Sequence, residues 1–292
     1  MIEELIPGVT EDVDVYLNGD ILPLSQATIS VLDRGFIFGD GIYEVVPVYS
    51  RKPFRLEQHV ARLMRSLDKI SLQTGNTAEE WQQLMTMMAQ RAPWDNSLVY
   101  LQVTRGVAKR DHAFPNPPVK PTIFLMAAPR VAPSVKEIEQ GLRTVSMLDM
   151  RWLHCDIKSV SLLGNVLAKQ YAVERGVDDV IQFRDGYLSE ASSANIWVVK
   201  DGAVIAPPKD NLVLEGIRYG LIEELCQAEG IPLHLRPVSQ EEVEQADELF
   251  LSSATKEILP ITELDAKPIA NGKVGPIYKA LKQAYGKVLA AL

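Results

Sequence analysis

The sequence predicts an α+β fold of two domains, and three observations carry that reading. At 292 residues the chain exceeds one compact domain of ordinary size and accommodates two. Segments of strand period and of helix period follow one another along it, separated by turn dipeptides. Two proline-rich stretches, "PNPPVKP" from Pro115 and "APRVAPS" from Ala128, interrupt that succession near the middle. The apolar run "TIFLMAA" after the first still reads as a strand, so the boundary falls at the second. The expected division is an N-terminal α+β domain over 1–130, a linker at 131–133 and a C-terminal domain over 134–292. A crevice between two such domains is a preferred place for a small-molecule site.

In the N-terminal half, "VDVYLNGDIL" alternates about Asn18-Gly19, a two-residue hairpin signal. "GIYEVVPVYS" reads as a strand. "RLEQHVARLMRSLDKI" is an amphipathic helix with Leu56, Val60, Leu63, Met64 and Leu67 inward. "TAEEWQQLMTMMAQ" is a second helix, with Thr77 as N-cap and Glu80 completing a capping box. "SLVYLQVTRG" and "PTIFLMAA" add two strands. In the C-terminal half, a helical pattern through Leu162, Leu163, Val166, Leu167 and Tyr171 predicts a buried face, with Lys169 on the polar side. Asp185-Gly186 and Asp201-Gly202 mark two hairpin turns. "EGIRYGLIEELCQAEG" is a helix closed by Gly230, and "SQEEVEQADELFLSSATKEILPI" a helix from Ser239 followed by a strand that breaks at "SSAT".

Composition excludes several classes of function. With 47% hydrophobic and 23% charged residues, the chain has the balance of a protein with a real core. A net charge of -8 argues against a nucleic-acid partner, because neutralising phosphates requires a basic surface. No apolar run approaches the ~20 residues needed to span a bilayer. "MIEELIPGV" lacks the charged-then-apolar build of a signal peptide, so a cytoplasmic location with no membrane partner is expected. Cys155 and Cys226 are too far apart for a CxxC pair and read as reduced thiols. His59, His112, His154 and His234 are scattered, so no metal is expected. Walker A, GxGxxG, HExxH and GxSxG motifs are all absent.

Lys158 is the residue whose placement asks for chemistry. It stands four residues before Leu162, where the buried face is expected to begin, with Ser159, Ser161 and Gly164 around it. Desolvation there would favour the neutral amine, the condition for Schiff-base formation with an aldehyde. Taken alone, such a lysine more often snorkels or pairs with a carboxylate. Companions are needed, and four candidates are present. Glu190, before the small polar stretch "ASSAN", could hold the proton of a pyridine nitrogen or be a solvated strand-end glutamate. The helix start "LEGIRYG" offers the amides of Ile217 and Arg218 to a phosphate, or is an ordinary helix start. Arg62 could serve the same phosphate or form a surface ion pair. Arg110 and His112 alternate in an extended loop and could grip a carboxylate, or belong to a solvated basic loop.

With these residues assembled, the chain resembles the fold-type IV pyridoxal-phosphate aminotransferases, and within them the D-amino acid transaminases. The matching segments are "DRGFIFGDGIYEVVPVY", "HVARL", "YLQVTRGVAKRDHAFP", "RWLHCDIKSVSLLGNVLAKQ", "LSEASSANIW", "LEGI" and "DELFLSSATKEI", in family order over nearly the whole chain. The Arg110-x-His112 pair is the discriminating feature among them. The resemblance implies that Lys158 is the Schiff-base lysine and Glu190 the partner of the pyridine nitrogen. It implies Arg62 and the amides of Ile217 and Arg218 at the phosphate, and Leu214 behind the ring. Tyr43, Arg110 and His112 would form a carboxylate trap, with Arg110 and His112 reaching across the interface of a homodimer. The activity implied is transamination between a D-amino acid such as D-alanine and a 2-oxo acid such as 2-oxoglutarate. The alternatives are an (R)-amine transaminase, a branched-chain L-aminotransferase, an aminodeoxychorismate lyase, or a scaffold without the chemistry. Four positions depart from the family pattern: Ala191 and Ala194 replace glycine and serine, and Arg218 and Ala254 replace threonines near the phosphate.

Overall fold

The computed structural model describes residues 2–292, which form two compact units. Of the described residues, one unit comprises 2–130 and Ile157–Leu162, the other Val131–Asp156 and Leu163–Leu292. The segment carrying Lys158 therefore packs with the first unit, whereas a linear division at 131–133 assigns it to the second.

The first unit contains α1 (Ile2–Leu5), β1 (Asp14–Leu17), β2 (Asp20–Pro23), α2 (Arg34–Phe38), β3 (Gly41–Tyr49), β4 (Lys52–Pro53), α3 (Leu56–Lys69), α4 (Ala78–Arg91), β5 (Ser97–Thr104) and β6 (Thr122–Pro129). Its six strands form one antiparallel sheet in the order β2-β1-β6-β5-β3-β4. Asn18 and Gly19 both take positive φ, as the two-residue hairpin requires. The capping box forms: Thr77 Oγ1 accepts from the Glu80 amide at 3.2 Å, and Glu80 accepts from the Thr77 amide at 2.8 Å. Val60, Leu63 and Leu67 of α3 pack with Trp81, Met85 and Met88 of α4 against Val46, Val99 and Leu101 of the sheet. Met64, expected inward, is 38% exposed. Its place on the buried face goes to His59, Arg62 and Ser66, which share the row of Leu63 at three- and four-residue spacing.

The second unit contains α5 (Val135–Gln140), β7 (Leu142–Leu148), α6 (Leu163–Glu174), β8 (Asp179–Arg184), β9 (Tyr187–Leu188), β10 (Asn195–Lys200), β11 (Ala203–Ala206), α7 (Ile217–Glu229), β12 (Leu233–Leu235), α8 (Gln240–Glu244), β13 (Glu248–Ser253), β14 (Glu257–Leu264), β15 (Lys267–Pro268) and α9 (Pro276–Ala290). Its mixed sheet runs β12-β11-β10-β13-β14-β7-β8-β9, with β15 paired to β14. Asp185-Gly186 and Asp201-Gly202 turn the hairpins with positive φ at all four residues. Gly230 ends α7 in the left-handed conformation, and Ser239 caps α8 with Glu242.

Helix α6 differs from expectation in phase. Ala168 and Ala172 are its buried residues and pack with Val180, while Leu163, Val166 and Leu167 are exposed at 71, 59 and 59%. Small side chains let the helix lie close on β7 and β8, which turns the larger apolar side chains outward. The periodicity was a true signal of an apolar stripe, but that stripe is not the one facing this unit's sheet.

Candidate active site

In the first unit, Lys158 lies outside any helix and is held by backbone pairing with β3. The Tyr43 amide donates to the Lys158 carbonyl at 2.9 Å, the Val160 amide donates to Gly41, and Ser159 bridges Ile42. The Lys158 side chain is half-buried, with its Nζ 4.1 Å from the centroid of the Tyr43 ring. An ammonium over an aromatic face is attracted by the ring quadrupole. The expected reason for this placement, the start of a buried helix face, gives way to strand-edge pairing. Ser161 donates to the Gly39 carbonyl at 3.0 Å, and its amide donates to Ser159 Oγ at 3.0 Å, so both serines stitch the segment down. A Cβ on Gly164 would meet Arg151, not Lys158.

Arg62 is buried, contrary to a surface ion pair. Its Nε and Nη2 donate to the two oxygens of Glu44 at 2.7 and 2.8 Å, a bidentate pair. His59 Nδ1 lies 2.8 Å from Glu44 Oε2. Burial alone would push the Glu44 carboxyl up; the charge and hydrogen bonds of Arg62, joined by His59, hold it well below the usual range. Strand alternation puts Glu44 and Tyr43 on opposite faces of β3. That period was readable in "GIYEVV", but the partners came from α3.

Arg110 and His112 lie exposed in the connection between β5 and β6. Both approach one ring: the Arg110 guanidinium carbon is 5.4 Å from the Phe38 centroid, and the His112 ring centroid is 5.3 Å from it. The first unit thus brings Tyr43 to Lys158, and both Arg110 and His112 to Phe38.

In the second unit, Glu190 is 5% exposed, which removes the reading of a solvated strand-end glutamate. Its Oε1 accepts from Arg151 Nη1 at 2.7 Å, and Asn195 Nδ2 approaches Oε2 at 3.4 Å. Arg151 is in turn fixed by Asp149, through Nε at 2.9 Å and Nη2 at 2.8 Å, and Arg184 lies 3.1 Å from the same carboxylate. Burial raises the Glu190 pKa, and Arg151 only partly opposes it. For Asp149 burial is overcome, and the Arg151 hydrogen bonds and charge hold it near about 2. Behind Glu190, Asp179 accepts from the Ser192 amide at 3.1 Å and from Lys256 at 2.7 Å, fixing the loop. Ala191 and Ala194 are buried core residues there. Arg151, Asp149 and Asn195 were missed from the sequence. Arg151 stood in a motif segment, but its partner lies 39 positions away.

Gly216 caps α7 without any side-chain hydrogen bond, and a Cβ on it would strike Asn195 Oδ1. Asn195 Nδ2 donates to the Leu214 carbonyl at 2.8 Å, so one side chain links Glu190 to the start of α7. Leu214 and Ile217 are half-buried at that start. The Arg218 side chain is not a substitute for a threonine hydroxyl. It is 1% exposed and its guanidinium lies 5.7 Å from the Tyr285 ring centroid in the core. Ala254 sits half-buried in the turn between β13 and β14 and offers only its backbone. Among the described residues no group of potential ligands could hold a metal ion, and no helix is long and apolar enough to cross a membrane.

Residues 41–264 match the family model for amino-transferase class IV. The chain is 38% identical over 275 residues to a D-alanine aminotransferase of Staphylococcus epidermidis, covering 94% of this chain and 97% of that one. It is 37% identical over 272 residues to a D-alanine aminotransferase of Listeria monocytogenes, covering 93% and 94%. The crystal structure of the Escherichia coli branched-chain amino acid aminotransferase superposes with a TM-score of 0.90 at 22% identity, covering 96% and 95%, a likeness of fold. This chain belongs to the class IV aminotransferases, enzymes that depend on pyridoxal phosphate. The donor set fits that cofactor: a primary amine beside an aromatic face, a desolvated carboxylate, and a helix start whose glycine cap has no room for a Cβ.

Proposed function

We propose that this enzyme transfers the amino group of a D-amino acid, D-alanine being the first to test, to a 2-oxo acid such as 2-oxoglutarate. The observation that carries the D-amino acid reading is the convergence of Arg110 and His112 on Phe38. A guanidinium and an imidazole resting on one ring can hold one carboxylate, and across a dimer interface the Tyr43 beside Lys158 would complete the trap. The naming of two relatives as D-alanine aminotransferases supports the same substrate class.

Pyridoxal phosphate, when bound, supplies an electron sink for the pair left at the substrate α-carbon and a carbon that carries the amino group. Lys158 would hold the cofactor through its amine, and its Nζ would move the substrate α-proton, first as base and then as acid. Glu190 would hold the proton at the pyridine nitrogen; burial raises its carboxyl pKa and Arg151 partly opposes that. Arg62, fixed by Glu44, the Ile217 and Arg218 amides and the backbone of Ala254 would be the groups that hold the phosphate, and Leu214 would support the ring. The two lost threonine hydroxyls leave the backbone at the α7 start with more of the phosphate binding.

We infer a homodimer, with Arg110 and His112 serving the partner's site. The exposed α6 stripe of Leu163, Val166 and Leu167, with Met150, Trp152 and Leu153 also exposed, supports a second copy as its cover. Small amino and oxo acids, not nucleic acid or membrane, are the partners, in keeping with a net charge of -8. A cytoplasmic location is supported by two free buried cysteines. The function is tested by assaying D-alanine, L-leucine and (R)-1-phenylethylamine with an oxo-acid acceptor. D-alanine is expected to be preferred, and preference for L-leucine would overturn the reading.

A further inference from the structure

The loop bearing Arg110 and His112 poses a physical problem. It belongs to the long connection from β5 to β6, its residues are exposed, and an irregular chain of that length would normally wander. Carboxylate recognition by paired donors requires a fixed geometry. Something must hold the loop from beneath.

Beneath it lies Arg34, the first residue of α2 and only 3% exposed. Its Nη1 donates to the Asp111 carbonyl at 2.5 Å and to the Ala113 carbonyl at 3.2 Å, and Nη2 donates to the His112 carbonyl at 3.3 Å. One guanidinium therefore satisfies three successive carbonyls at the turn of the loop. Its Nε side is anchored as well: Nε donates to Asp40 at 2.7 Å. Asp40 also accepts from Arg105 Nε at 2.9 Å, and Arg105 donates to the Ile70 and Ser71 carbonyls just beyond α3. The backbone ties in the same place, with the Arg34 amide donating to Gly106 at 2.9 Å and Asp33 bridging Val107. Gly35 lets α2 lie this close, since a Cβ there would strike the Thr104 side chain. Four residues after Arg34, Phe38 presents the ring against which Arg110 and His112 both rest, 4.9 Å from the Arg34 guanidinium carbon.

We propose that Arg34, with Phe38, is the positioning element of the carboxylate trap: it fixes the backbone of Asp111–Ala113 so that Arg110 and His112 are presented together. The inference rests on the reading that these two residues take the substrate carboxylate. Arg34 is buried beneath the loop, and a neutral side chain there leaves three carbonyls short of their charged donor and Asp40 with Arg105 alone. The loop then loosens, and affinity for the carboxylate falls while the chemistry at Lys158 proceeds.

The test uses the holoenzyme and three readouts: KM and kcat for D-alanine with 2-oxoglutarate as acceptor, the inhibition constant of propanoate, and cofactor content by absorbance. For Arg34→Gln, KM and the propanoate constant are expected to rise about tenfold while kcat changes by less than about threefold and cofactor content is unchanged. Arg34→Lys keeps the charge on Asp40 but loses the fork, and is expected to fall between. Phe38→Leu leaves the Arg34 network intact and is expected to raise the same two constants, so it serves if Arg34→Gln does not fold. Unchanged KM and propanoate binding in the folded variant overturns the proposal, as does a parallel loss of kcat and cofactor. Failure of the wild-type enzyme to turn over D-alanine would instead overturn the functional reading.

Discussion

Glu44 in the first unit and Glu190 in the second are both buried glutamates bonded to an arginine, yet their carboxyls shift in opposite directions. Glu44 receives both forks of Arg62 and also faces His59, so the cationic partners overcome burial. Glu190 receives one nitrogen of Arg151, whose other hydrogen bonds go to Asp149. Sharing the arginine leaves burial in command. The comparison teaches that the number of partners per carboxylate, not burial, separates a clamp from a group available to a proton. Glu44 is built to stay ionised and hold Arg62; under the proposed function, Glu190 meets a protonated ring.

The largest expected effect asks whether the two units serve one reaction. Lys158→Ala is expected to lower transamination about 10⁴-fold, and a variant with wild-type turnover would sever Lys158 from Glu190 altogether. Next comes the glutamate pair itself. Glu44→Gln leaves Arg62 short of a charge in the core and is expected to cost about 3–5 kcal/mol of stability by urea unfolding. Glu190→Gln is expected to cost about 1 kcal/mol but to reduce kcat about 10²-fold. Equal losses of stability would break the distinction drawn between them.

A pH titration sharpens the comparison further. Asp149 has its carboxyl lowered from 3.8 to about 2, so the stability it supplies is present above pH 3.8 and is lost as pH falls toward 2. Glu190 carries the opposite sign: its raised carboxyl weakens folding as pH climbs above the ordinary 4.5. Asp149→Asn is therefore expected to flatten the acid limb of the stability curve, measured as urea midpoint against pH, and an unaltered limb would remove Asp149 from the network. The smallest effect sets the scale for a site remote from either glutamate. Thr77→Ala removes the α4 cap and is expected to cost about 1 kcal/mol with activity unchanged.

Local chemistry was legible in the sequence wherever its cause was local. The Asn18-Gly19, Asp185-Gly186 and Asp201-Gly202 turns, the Thr77 and Ser239 caps and the Gly230 stop all depend on residues within a few positions, and all form. The choice of Lys158, Glu190, Arg62, Tyr43, Arg110 and His112 as candidates came from a resemblance to a family pattern rather than from local chemistry. What could not be read was the environment of each. Met64 turned outward because His59 and Arg62 took its face, and the α6 stripe faced away from its own sheet because alanines made the closer contact. A helical period specifies that an apolar face exists but not what covers it.

The sequence by itself determined the class of fold, the order of its strands and helices, and the residue types that transamination needs. Only the tertiary structure decided which charge sits against which: Arg62 on Glu44, Arg151 on Glu190, Arg34 under the Asp111–Ala113 backbone. Those partners are tens of positions apart, and their energies depend on desolvation, which exists only once the core has closed.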